Sequence, residues 1–146
     1  MSDDIKKGII AAIVILILID ASTTMIGLAT IFQPSRSNPL SFLFCLGPAL
    51  AVMVLLVLTQ KIWQGNTPIH RILQGVWFVA LGYDVYTSFR ANVGILTVGL
   101  RGLVERFDVF EKLWSLRLEV IVAVLIATLL ISSAPILLPY IAGDHL

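Results

Sequence analysis

The stretch Ile69–Leu96, IHRILQGVWFVALGYDVYTSFRANVGIL, decides the fold because its layout occurs twice in the chain. Displaced by 64 positions it falls over Ile5–Phe32, IKKGIIAAIVILILIDASTTMIGLATIF. Each copy opens on a basic pair, Lys6 and Lys7 or His70 and Arg71, and runs through twelve mostly apolar residues to an aspartate, Asp20 or Asp84. A hydroxyl pair follows, Thr23 and Thr24 or Thr87 and Ser88, and then a small residue, Gly27 or Ala91. An internal repeat bears on architecture before any single residue does. Few residues are identical between the copies, so what recurs is a pattern of polarity, and duplication is the expectation it raises.

Outward from this stretch the composition sets the class. Of the 146 residues 58% are hydrophobic and 13% charged, whereas soluble domains run at about 45–50% and about 25%. Mean hydropathy is +0.98. That is the composition of a membrane protein. A net charge of +1 accumulates on no basic face, so no nucleic-acid partner is expected. Cys45 is the only cysteine, which excludes an internal disulfide and any cysteine-rich metal site. In its apolar run it reads as a buried, inert thiol. His70 and His145 stand far apart and outside the apolar stretches, so neither a metal centre nor a cofactor is expected.

A membrane-spanning helix needs about 20 mainly apolar residues. Four stretches meet that length, roughly Gly8–Phe32, Leu40–Thr59, Ile72–Leu96 and Leu118–Pro139. They are continuously apolar, without the alternation of barrel strands, and backbone facing lipid must satisfy itself, so they read as helices. The expected fold is an all-α membrane protein, a single integral membrane domain over residues 1–146. Its four transmembrane helices form two hairpins, residues 8–59 and 72–139, related in parallel by a pseudo-two-fold axis along the membrane normal. The links Gln33–Pro39 and Gln60–Pro68 are short and rich in turn residues, with Trp63 at interfacial depth. Residues 101–117 differ. Leu103, Phe107, Phe110 and Trp114 recur at helical spacing while Glu105, Arg106, Asp108, Glu111 and Lys112 fall on other faces. That pattern predicts an amphipathic interfacial helix between the third and fourth spans.

The first segment also has the layout of a signal peptide, with Lys6 and Lys7 ahead of the apolar Gly8–Ile19. Hydrophobicity that resumes at Met25, and the same layout inside the chain, favour a retained span. Pro48 and Pro135 lie within spans and free the carbonyls of Phe44 and Ile131, which predicts kinks. Orientation is not decided by the positive-inside rule, because four Lys or Arg flank one side and five the other. The pair beside the first helix points to cytoplasmic termini, and the expected location is the cytoplasmic (plasma) membrane.

The chemistry is concentrated at the two aspartates. Asp20 stands thirteen residues beyond Lys7, about 20 Å of helix, so its carboxyl cannot reach the interface by stretching. Asp84 is equally central in its span. A charged aspartate at helix centre costs about 2.5–3.5 kcal/mol or more and marks a functional position. Thr23, Thr24 and Gly27 follow Asp20 at steps of three, four and seven, as Thr87, Ser88 and Ala91 follow Asp84. Each helix thus carries a stripe of carboxyl, hydroxyls and a small residue. Tyr83 and Tyr86 flank Asp84 as hydrogen-bond donors, and Arg90, on another face, reaches Asp20 across the interface or snorkels outward.

Three functions compete for this pattern. The carboxyls and hydroxyls of Asp20, Asp84, Thr23, Thr24, Thr87 and Ser88 form a proton or cation site, since oxygen-only ligation suits hard cations and a protonatable pair suits proton coupling. Alternatively the stripes are assembly contacts, small residues admitting close approach and polar groups bonding between helices. An intramembrane enzyme is the third, but no serine–histidine or paired-histidine arrangement and no GxGD motif surrounds either aspartate, so no enzymatic activity is expected. The site is preferred, because assembly alone is served by asparagine or serine without a carboxylate. The duplicated hairpin with mid-membrane carboxylates is similar in layout to the rotor proteolipids of rotary ATPases. It departs from them in lacking a glycine-repeat helix and in carrying the carboxylate on the first helix of each hairpin. Beyond the lipid bilayer, the expected partners are further copies of the chain or other membrane subunits, four helices being few for an autonomous transporter.

Overall fold

The structure, a computed structural model, describes residues 2–32, 43–102 and 109–142, and every regular element among them is a helix. In chain order these are α1 (Asp3–Phe32), α2 (Leu43–Val57), α3 (Thr59–Gln64), α4 (Pro68–Gly102), α5 (Val109–Trp114) and α6 (Leu118–Ala142). The second apolar stretch is divided at Leu58, yet Leu58 N–H donates to Val54 O at 3.0 Å and Ile62 N–H to Leu58 O at 3.0 Å. Hydrogen bonding therefore carries across the joint, and α2 and α3 form one rod. Gly65, in extended backbone, ends it. Pro68 then opens α4 at a first-turn position where no N–H is needed, and Thr67 Oγ1 closes on His70 Nδ1 at 2.6 Å.

The rods run alternately up and down. Cys45 and Ala49 of α2 cluster with Leu28 near the end of α1, while Val52, Met53 and Leu56 cluster with Ile17 further back, so α1 and α2 are antiparallel. Contacts between α1 and α4 advance together instead, from Thr23 with Ser88 to Thr30 with Arg90, which makes those helices parallel. Asn92 bonds Thr128 while Ser132 reaches back to Asp20, so α6 descends against both. One end of the bundle is filled by Trp77, Ala80, Leu56 and Ile62, with Leu73 and Ile136 against them. The other end holds Val93 and Val124 with Ile26 and Phe89.

The polarity of the bundle is inverted relative to a soluble one. Large apolar side chains face outward on the long helices, with Phe44 78%, Val79 73% and Leu130 65% exposed. Asp20, Thr24, Asp84, Ser88, Thr128 and Ser132 are buried inside. Ser22 faces outward but gives its hydroxyl proton to Leu18 O at 2.7 Å, so no bare donor is presented there.

Two helices, Asp4–Phe32 and Leu118–Ala142, are long and apolar enough to cross a membrane. The apolar stretches of the sequence predict four. The second falls short as a single helix because α2 is only 15 residues, against the need for about 20. The third has ample length, but His70, Arg71, Gln74, Asp84, Arg90 and Asn92 dilute its apolar character.

The third helix runs beyond its expected end at Leu96 as far as Gly102, bending at Gly99, whose φ of 70° suits glycine. The expected amphipathic helix lies partly outside the described residues, since 103–108 are not among them. Its final turns are seen as α5, where Trp114 is 86% exposed and Leu113 turns inward with Leu116 against Val93 and Val124.

Candidate functional site

Asp20 and Asp84 are both fully buried inside the bundle and belong to one hydroxyl network, joined through Thr24 and Ser88. The parallel packing of α1 on α4 brings them together. Gly27 sets how close the helices come, for a Cβ there would collide with the Thr87 carbonyl. Backbone meets backbone at that point, one turn from the carboxyl layer. Ala91, four residues beyond Thr87, is also fully buried.

Hydroxyls from three helices converge on the pair. Thr24 Oγ1 on α1 donates to Asp84 Oδ1 at 2.5 Å. On α6, Ser132 Oγ donates to Asp20 Oδ1 at 2.9 Å. Ser88 of α4 lies 2.9 Å from Thr23 Oγ1, 3.0 Å from Thr24 Oγ1 and 3.3 Å from Asp20 Oδ1. Thr23 Oγ1 also donates to Asp20 O at 2.9 Å, as Thr24 does to Asp84. With both threonine protons committed, three acceptors compete for the single Ser88 proton. The network is short of donors.

That shortage shows at the carboxyls, where Asp20 Oδ2 and Asp84 Oδ2 are buried with no hydrogen-bond partner. A buried, unpaired carboxyl oxygen costs several kcal/mol by transfer estimates. Two of them stand on adjoining buried side chains. The available ligands are all oxygens, which suits a proton or a hard cation rather than a transition metal. Among the described residues, no group of three or more His, Cys, Asp and Glu forms a metal centre.

The other sequence candidates are placed differently. Thr87 is buried, but its hydroxyl donates to Tyr83 O at 2.9 Å and lies 3.1 Å from Asp84 O, so it serves its own helix and not the carboxyls. Arg90 is held by a hydroxyl at another level of α1. Its Nε donates to Thr30 Oγ1 at 2.7 Å, ten residues beyond Asp20 along α1. Tyr83 packs beside Cys45 and Leu28, towards α2, and Tyr86 is exposed. Both departures follow from the helical rotation of about 100° per residue, which turns immediate sequence neighbours of Asp84 onto other faces.

Ser132, by contrast, enters from outside the repeated segments. The signal for it is Thr128 and Ser132, four residues apart and so on one helix face, among the three hydroxyls (with Ser133) of an apolar stretch just before Pro135. Asn92 Nδ2 donates to Thr128 Oγ1 at 2.9 Å and so continues the same polar face. No family model, curated protein or solved structure matches the chain, and its function is therefore read from this geometry.

Proposed function

We propose that the protein is a small multi-pass membrane protein of four spans whose Asp20–Asp84 pair binds a proton or a small hard cation at mid-membrane. The spans are α1, the rod of α2 with α3, α4 and α6. Residues 43–64 make a rod of about 33 Å, enough for a hydrocarbon core of about 30 Å. In support of α4 as a span, Ile72, Val76 and Val79 face outward while Asp84, Thr87 and Ser88 lie within the bundle. The proposed location is the cytoplasmic membrane, and the working unit includes further copies of the chain or other membrane subunits. No catalytic step belongs to this reading.

The observation that carries it is the pair of partnerless oxygens, Asp20 Oδ2 and Asp84 Oδ2. The alternative, a helix-assembly element, has its own support in the bonds from Thr24 to Asp84 and from Ser132 to Asp20. Assembly explains those bonded Oδ1 atoms but gives the two Oδ2 atoms no role.

Substitution separates the readings. Asn keeps shape and hydrogen bonding but removes both titration and charge. Asp20→Asn and Asp84→Asn are expected to leave the protein assembled while abolishing pH- or ion-dependent behaviour. Leucine at either position should weaken assembly by about 0.6–2 kcal/mol per lost bond. Reconstituted protein with both asparagine variants retaining full ion dependence would overturn the site and leave assembly standing.

A further inference from the structure

Polar groups are distributed unevenly above and below the carboxyl pair. We propose that the Asp20–Asp84 site is loaded from one side only, the membrane face at the Phe32 end of α1, and is shut to the face at the Gln64 and Ala142 ends. This rests on the pair being an ion site.

Towards the Phe32 face polar groups continue for about one turn beyond the carboxyls, beside the apolar Val93 and Val124. Ser88 and Ser132 stand at the carboxyls, and four residues on from one and four back from the other come Asn92 and Thr128, bonded at 2.9 Å. Four residues are about 6 Å of helix, a step that one water molecule can bridge. Beside this ladder Thr30 and Arg90 bond at 2.7 Å, six residues beyond Thr24 and Asp84 respectively. The small residues Gly27, Ala91 and Gly94 are buried along the same seam.

Towards the opposite face the interior is closed. Val52, Met53, Leu56, Ile62, Trp77 and Ala80 form one apolar cluster across it. The polar side-chain pair on that side, the Trp77 indole N–H on Thr59 Oγ1 at 2.8 Å, is satisfied within itself. Trp77 is seven residues from Asp84, about 10 Å of helix, and the cluster side chains that fill this end are apolar. Apolar interiors of this kind stay dry.

The titratable groups around the pair are few. Besides the two carboxyls these are Tyr83 and Cys45 towards α2 and Arg90 towards the Phe32 face. The described part of α6 presents hydroxyls and apolar residues at this depth, Glu119 and Tyr140 lying near its ends. A proton that binds leaves a hydronium ion at the Phe32 face, crosses the ladder and forms an O–H bond on one carboxylate. Release reverses these steps.

Full-length protein reconstituted in lipid vesicles, sorted by which side displays a tag fused after Leu146, tests this. The outside is jumped in pH, and separately in sodium concentration. Infrared bands of the carboxyl groups, identified by their absence from the Asp20→Asn, Asp84→Asn double variant, report occupancy. A rapid response is expected only where the tag is hidden, so that the Phe32 face is outside. Asn92→Leu or Thr128→Val should slow that response by about tenfold or more, the effect of one added barrier comparable to a lost buried hydrogen bond. Equal responses in both vesicle populations, or a response only with the tag outside, would overturn one-sided loading and leave the ion site intact. Carboxyl bands that respond to neither jump from either side would remove the site itself, and one-sided loading with it.

Discussion

At the scale of single residues, the site depends on Gly27 as much as on its carboxyls. A methyl group there meets the Thr87 backbone, which cannot turn aside as a side chain can. Gly27→Ala is therefore expected to force α1 from α4 and to cost about 1–3 kcal/mol, the usual range for overpacking. Gly8 and Gly82 have open space where a methyl group would stand, and alanine at either should be neutral or stabilising by up to about 1 kcal/mol. Unfolding titrations in mixed detergent micelles check the contrast, and equal effects at Gly27 and Gly82 would contradict the close approach. The repeated stripes make Asp20, Thr24, Asp84 and Ser88 legible in the sequence, because a carboxyl and a hydroxyl four residues apart share a helix face. The same rule misplaces Thr87. A step of three also shares that face, but a threonine hydroxyl can turn back to a carbonyl of its own helix, and spacing alone does not reveal which bond it makes. Ser132 escapes the rule because the fourth stretch lies outside the two repeated segments, where only tertiary packing selects one hydroxyl among several.

At the scale of elements, helix identity is legible and helix ends are not. Long apolar runs without alternation specify helices, yet the division of the second stretch at Leu58 has no Gly or Pro to announce it. Continuation of α4 past Leu96 to a bend at Gly99 is likewise invisible, since glycine is common within membrane helices and marks no boundary there. In the short helix α5 Leu113 turns inward while Trp114 and Glu111, which the sequence pattern sets on different faces, both face out. A spin label at Trp114 should report the headgroup region or shallow lipid, and one at Glu111 should remain accessible to aqueous relaxation agents. Deep burial of both labels in the hydrocarbon core would contradict an interfacial placement.

At the scale of the whole molecule, the four spans proposed above, with rods running alternately up and down, predict a definite topology. Reporters fused after Phe32 and Gly102 should lie on one side of the membrane, and those after Gly65 and Ala142 on the other. Phe32 and Gly65 on the same side would show that α2 with α3 does not cross. α1 and α4 run parallel, whereas the part α6 takes in closing the site is not legible in the sequence pattern. All of this organisation converges on two carboxyl oxygens that have no partner in the bundle. The most direct test is to titrate purified protein potentiometrically, with and without sodium, and to subtract the curve of the Asp20→Asn, Asp84→Asn double variant. An ion site predicts about one exchangeable proton or more per chain in the difference, or its displacement by sodium, as expected for an interacting pair. Superimposable curves, with both proteins folded, would contradict it.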